Sequence, residues 1–308
     1  MKRYAGFLAL NTKMRILQYE HESELISLMQ EIGVDPYGAK IMAPKAAAYI
    51  VKLDCLSNVC ANILKQELLA IGADAAIARG ALTGKTKRTD CLLFLTASQL
   101  ARVCEKLKRQ PFGLKDIALE LRQTLKNYQK NTFSFRARQY HLKLGSHTRI
   151  MGIINLTPDS FSGDGVYASC NAASSRNEYI LRQIEHMVKV GADIIDIGGE
   201  SSRPGANQVP LKEELKRVIP VLRSLKKRIH IPISIDTYKP EVAHAALDNG
   251  AAIINDITGL RHSKMAKIIA RYQAGVVLMH MKANPLTMQK KPIYHCLRGE
   301  IFRFFLHG

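Results

Sequence analysis

From Arg149 onward the chain alternates short apolar runs rich in β-branched residues with segments of helical period. The runs are 150–155 (Ile-Met-Gly-Ile-Ile-Asn), 192–197 (Ala-Asp-Ile-Ile-Asp-Ile), 231–236 (Ile-Pro-Ile-Ser-Ile-Asp), 251–256 (Ala-Ala-Ile-Ile-Asn-Asp) and 275–280 (Gly-Val-Val-Leu-Met-His). Apolar runs with little polar alternation are the pattern of strands covered on both faces. Helical patterns at 173–190, 211–228, 239–249 and 262–273 separate them, and 294–306 begins another. Strand, helix, strand repeated in this way predicts a parallel sheet with right-handed crossovers.

The preceding residues follow another rhythm. Helical period covers 21–32, 57–71, 97–108 and 113–128, with short strand candidates at 47–53 and 91–96. Residues 132–144 alternate as Phe133, Phe135, Ala137 and then Tyr140, Leu142, Leu144, which predicts a hairpin. The apolar stretch from Tyr4 to Leu10 is short and has no clean cleavage site after it, so it reads as a strand rather than a signal peptide. The expected organisation is an α+β domain over 1–130, to which no activity is attached, followed by an α/β domain over 131–308.

Four of the five later strands end in a polar residue able to do chemistry: Asn155, Asp196, Asp236 and Asn255. The fifth ends in Met279-His280. One such residue would be an ordinary turn starter or helix cap. Four at equivalent positions favour a shared pocket, because strand ends converge at the carboxyl face of a (β/α)8 barrel.

Composition narrows the function classes. With 308 residues, 47% hydrophobic and 23% charged, the chain has a globular balance. No apolar run approaches the roughly 18 to 20 residues of a membrane span. The six cysteines include no Cys-x-x-Cys pair, which fits reduced thiols in a cytoplasmic protein better than a disulfide framework. The formal charge of +19 is spread out, roughly +11 over residues 1–145 and roughly +8 beyond. Without tryptophan or a basic stripe interleaved with aromatics, it argues for a field that attracts anionic substrates rather than for nucleic-acid binding. Gly84-Lys85-Thr86 resembles the end of a phosphate loop, but Arg79 stands where the motif needs its first glycine, so a basic turn is the better reading.

Two loops carry the remaining chemistry. The first, 155–165, is Asn-Leu-Thr-Pro-Asp-Ser-Phe-Ser-Gly-Asp-Gly, mobile in composition and metal-capable through Asn155 and nearby carboxylates. The second, 198–205, is Gly-Gly-Glu-Ser-Ser-Arg-Pro-Gly; paired glycines let backbone amides approach an anion, and Ser202 with Arg203 adds a hydroxyl and a guanidinium fork.

Together with 234–240, 253–257 and 278–288, these segments resemble dihydropteroate synthases, in order, from about Arg149 to Phe305. The first half is similar to an N-terminal extension that some bacterial members carry. The resemblance implies a (β/α)8 fold and the condensation of 6-hydroxymethyl-7,8-dihydropterin diphosphate with 4-aminobenzoate. It implies Mg²⁺ at Asn155, diphosphate held by Ser202 and Arg203, and a pterin edge bound by Asp236 and Asn255 with Asp196 supporting them. Asp196 and Arg203 would then be the groups closest to catalysis, and Met279 a further substrate contact. Thr usually stands where this chain has Ser202, a swap that keeps the hydroxyl and loses a methyl. The pterin-binding domain of corrinoid methyltransferases shares the barrel but not the Thr157-Pro158-Asp159-Ser160-Phe161 loop.

The family's segments after strands six, seven and eight have no counterpart, so the expectation is an incomplete barrel of about five strands. Three readings stay open: a fragment of a longer product, inactive alone; a half-barrel completed by a second polypeptide or by its own homodimer; and a pterin-binding or scaffold protein without catalysis.

Overall fold

In the computed structural model, residues 17, 22–157, 173–201, 208–282, 287–288 and 291–307 are described. The stretch from Tyr4 to Leu10, most of the loop after Thr157, and both Ser202 and Arg203 lie outside the described residues. The chain divides into two compact units, Met1–Lys130 and Asn131–Gly308.

The first unit is built on a three-stranded antiparallel sheet in the order β1 (Ala48–Ser57), β3 (Arg88–Thr96), β2 (Asp74–Ile77). Its middle strand alternates strictly: Thr89, Cys91, Leu93 and Leu95 are buried, while Asp90, Leu92 and Phe94 are exposed. One face therefore packs against helices and the other is open. The buried face meets α3 (Asn58–Leu69), α5 (Ala97–Leu107) and α6 (Leu114–Tyr128), which bring Leu64, Leu68, Leu107 and Leu114 into the core. A capping box starts α5: Thr96 accepts from the Gln99 amide N–H and the Gln99 side chain accepts from that of Thr96.

Three elements here are not evident from the pattern: α2 (Pro36–Ala46), β2 and the short α4 (Arg79–Leu82). Helix α2 follows α1 (Glu22–Glu31) and contains Gly38 and Pro44, which disguise its period. It starts through Asp35, whose carboxylate accepts from the amides of Tyr37 and Gly38, with Pro36 at the first helical position.

The second unit opens with the hairpin β4 (Phe133–Ala137) and β5 (Tyr140–Leu144). Five parallel strands follow: β6 (Met151–Asn155), β7 (Ile194–Gly198), β8 (Ile233–Asp236), β9 (Ile253–Asp256) and β10 (Gly275–Leu278). They lie side by side in chain order, joined by α7 (Ala173–Lys189), α8 (Leu211–Leu225), α9 (Pro240–Asp248) and α10 (Ser263–Tyr272), with α11 (Leu297–His307) last. Ile195, Ile197, Ile235 and Ile254 project to the helix side and share a core with Ile184, Val218, Leu222 and Leu247.

The opposite face is layered. Met151 and Ile194 at its amino end, with Ile253 and Val277 further up β9 and β10, pack with Phe135, Ala137, Tyr140 and Leu142 of the hairpin. The hairpin's Arg138, at φ 55°, donates from its backbone to Gln273 O and from its guanidinium to the carbonyls of Leu247 and Ala251. This face is thus apolar at its foot and along β10 and polar at the upper ends of β6 to β9, and Ile153 on the edge strand β6 is 60% exposed. No helix among the described residues is long and apolar enough to cross a membrane.

Candidate active site at the carboxyl ends of the parallel strands

Strand registry fixes which residues share a level. Asn155 pairs with Gly198, Gly198 with Asp236, Asp236 with Asn255, and Asn255 with Val277. One level below run Ile153, Asp196, Ser234, Ile253 and Gly275. Since side chains alternate faces along a strand, both rows point to the layered face. The site is therefore a polar row with a second row beneath it.

Gly198 makes the upper row possible. A Cβ there would lie 3.3 Å from Asn155 Oδ1 and 3.6 Å from Asp236 Cβ, so the missing side chain leaves a gap between those two groups. Gly199 answers a different demand: a Cβ would come within 2.8 Å of Val218 and 2.9 Å of Glu214, both on α8. The pair thus combines a gap in the site with close helix packing.

Asp196 sits lower than the strand-end pattern implied, because β7 continues two residues past it to Gly198. It is 3% exposed, and its Oδ2 accepts from Asn255 Nδ2 at 3.1 Å. Its Oδ1 and the fully buried Ser234 Oγ have no hydrogen-bond partner of ordinary geometry, although the hydroxyl is near enough to favour the charged carboxylate. Burial pushes the Asp196 carboxyl above its ordinary value, opposed in part by Ser234 and Asn255. An orphaned buried acceptor on a polar face is the signature of a group kept for a ligand rather than for packing.

Asn155, Asp196, Asp236 and Asn255 are thus brought together, while Met279 lies one residue beyond β10, half-buried, its amide donating to Asp256 O at 3.2 Å. Asp256 ends β9 as a turn-former, its carboxylate accepting from Thr258 and Leu260. Among the described residues no group of three or more His, Cys, Asp or Glu could hold a metal ion.

Beside the row lies a buried ionic network the pattern did not reveal. Lys239 Nζ donates to Glu200 Oε2, to Glu214 Oε2 at 2.5 Å and to Val209 O at 2.7 Å. Thr237 Oγ1 donates to Glu214 Oε1 at 2.7 Å, and Tyr238 OH to Glu200 Oε1 at 2.9 Å. Burial alone would lower the Lys239 ammonium, but the two carboxylates outweigh it and its pKa is raised. Burial and then Glu200 push the Tyr238 phenol up to about 12. In the sequence Glu213-Glu214 reads as ordinary acidic residues in a helix's first turn, and nothing there distinguishes the buried one.

Comparison with known proteins gives a consistent result. Residues 151–307 match the family described as pterin binding enzyme. The chain is 46% identical over 162 residues to a dihydropteroate synthase of Synechocystis, a match covering 52% of this chain and 54% of that one. It is 32% identical over 284 residues to the bifunctional dihydropteroate synthase/dihydropteroate reductase of Helicobacter pylori, covering 91% of this chain and 69% of that one. The chain is similar to the Yersinia pestis dihydropteroate synthase solved in a sulfonamide drug complex (TM-score 0.51, 40% identity, 57% of this chain and 61% of that one). The chain spans about half the length of the Synechocystis relative. By family and by the layout of its strands, this chain belongs to the dihydropteroate synthases of the pterin-binding enzyme family.

Proposed function

We propose that the row Asn155–Gly198–Asp236–Asn255 is the pterin and diphosphate end of a dihydropteroate synthase site. The reaction would condense 6-hydroxymethyl-7,8-dihydropterin diphosphate with 4-aminobenzoate. The five strands would be the first five of a (β/α)8 barrel, which their sequential parallel order supports. The observation that carries this reading is the buried Asp196, bonded to Asn255 through one carboxylate oxygen and with no partner of ordinary geometry on the other, under Asn255 and Asp236. A flat heterocycle with donors and acceptors along one edge needs fixed carboxylate and amide partners of this kind.

Asp236 and Asn255 would hydrogen-bond the pterin edge, with Asp196 orienting the Asn255 amide from below. Met279 would contact the substrate from the end of β10, and Ser202 with Arg203 would hold the diphosphate. The bond from the pterin's exocyclic methylene carbon to the diphosphate oxygen breaks, and its electron pair leaves with diphosphate. The 4-aminobenzoate nitrogen forms the new bond and releases a proton to solvent, so no side-chain nucleophile is required. Arg203 would offset the charge that builds on the departing anion.

Magnesium takes few protein ligands when substrate phosphates supply the others. The Asn155 carboxamide oxygen, beside the gap at Gly198, fits that role as a single neutral ligand. Bound there, Mg²⁺ would share in neutralising the diphosphate.

The test is titration calorimetry of the full chain with the pterin diphosphate in Mg²⁺, alongside an assay for dihydropteroate. Asp236→Ala should weaken pterin binding by about tenfold or more, the scale of one lost hydrogen bond to a charged group. Unchanged affinity would remove Asp236 from the site. Binding without product would mean that the residues present suffice for the pterin but not for the condensation.

A further inference from the structure

We infer that Lys239 is a positioning residue: it fixes both stems of the loop after β7 against the end of β8, and so governs the diphosphate half of the substrate more than the pterin half. The inference rests on the reading above for its ligand, and on the ionic network for its geometry.

An ammonium has three N–H donors, and here all three are engaged on separate pieces of chain. Glu200 precedes the loop and Val209 follows it, so one nitrogen bridges the two stems. The third acceptor, Glu214, lies in the first turn of α8 and anchors the assembly to the helix. Lys239 itself comes three residues after Asp236. The two stems are thereby referenced to the strand end that would bind pterin.

The network is closed as well as buried. Glu214 is 1% exposed, and each of the four carboxylate oxygens of Glu200 and Glu214 receives a donor from Lys239, Thr237 or Tyr238. Arg217 adds a bond from its guanidinium to Gly199 O at 2.9 Å, on the same stem as Glu200. A fully satisfied polar network of this kind is rigid, whereas removal of its cation leaves the buried Glu214 and the partly buried Glu200 uncompensated. A salt bridge that served stability alone would need only to join α8 to the start of α9. Reaching both loop stems is the additional feature, and it separates a positioning role from a merely cohesive one.

The experiment compares the full chain with Lys239→Met and with Glu200→Gln, a milder variant that leaves Lys239 and Glu214 paired. Affinity is measured for the pterin diphosphate and for 6-hydroxymethylpterin, which lacks the diphosphate. Lys239→Met should lose about tenfold or more for the first ligand and less than about twofold for the second, since small misplacement of a binding group is costly. Glu200→Gln should show the same split at about threefold, and it decides the matter if Lys239→Met fails to fold. Equal losses for both ligands, or no loss for either, would overturn the inference. Hydrogen exchange supplies a reading independent of ligand. Amides at 201, 208, 209 and 211–214 should exchange faster in either variant while those of α9 do not, and uniform acceleration through α9 would also overturn it. If the unaltered chain binds neither pterin, the proposed function fails, and the exchange contrast still decides the role of Lys239.

Discussion

Burial of Asp196 beneath Asn255 leaves one carboxylate oxygen with no partner of ordinary geometry, the Ser234 hydroxyl close by offsetting this only in part, an arrangement that costs stability whenever the carboxyl is charged. Its folded pKa is raised, so this residue favours the fold most below the ordinary aspartate range and least once pH has risen through the folded value. Asp196→Asn should therefore unfold at higher urea concentration at pH 7, by about 1 kcal/mol, the low end of the cost of an unpartnered buried acceptor. That advantage should vanish in acid, and pterin affinity should fall throughout. A variant less stable at pH 7 would contradict the account. Asp193, three residues earlier, has the opposite sign: the Ile150 amide and then the Arg149 guanidinium hold its carboxyl below the ordinary range. Its contribution is present above the unfolded value and disappears as pH falls through the folded one. Asp193→Asn should cost about 1 to 2 kcal/mol at pH 7 in urea titrations, with the deficit closing below the ordinary aspartate pKa. Asn155 and Asp236 could be read from the sequence because a strand end next to a turn is a local feature. The depth of Asp196 could not, since it depends on where β7 stops, and neither could the burial of Glu214, which depends on a lysine 25 positions away.

At the level of elements, the hairpin β4–β5 shows what alternation can and cannot reveal. Phe135, Ala137, Tyr140 and Leu142 announce two paired strands, but their target, the apolar part of the parallel sheet's layered face, is set by tertiary packing. Gly275 marks the contact: a Cβ there would lie 2.7 Å from Phe135 Cζ and 2.9 Å from Ala137 Cβ. Gly275→Ala should destabilise the second unit by about 1 to 3 kcal/mol, the usual range for overpacking, as measured by thermal or urea unfolding. Gly198→Ala should act mainly on the site. Its Cβ would lie 3.3 Å from the Asn155 oxygen, so the Asn155 side chain must give by a few tenths of an ångström; stability should fall less than for Gly275→Ala while pterin diphosphate affinity drops. If the two substitutions had the same effect, the division of this face into an apolar foot and a polar rim would be wrong. The elements hidden from the pattern have local reasons: α2 contains Gly38 and Pro44, and β2 spans only Asp74-Ala75-Ala76-Ile77, too short and too alanine-rich to show a period.

For the molecule as a whole, the two units have separate cores. Leu64, Leu68, Leu93, Leu107 and Leu114 are fully buried in the first, and Ile184, Ile195, Ile197, Leu222, Leu225, Ile235 and Leu247 in the second. The change of rhythm near residue 130, from half-open antiparallel strands to continuous apolar runs, reflects this division, because each pattern answers a different kind of cover. A core that shares no residues with its neighbour should melt by itself. Expressed alone, residues 22–130 should unfold in one cooperative urea transition, at a midpoint matching one of two transitions in the full chain. Asp196→Asn and Gly275→Ala should shift only the other transition. A fragment without protected amides, or a full chain whose substitutions in the second unit move both transitions together, would mean that the first unit draws its order from the second. Such coupling would make the N-terminal unit a structural part of the synthase, whereas independent melting makes it a domain whose activity can be sought in isolation.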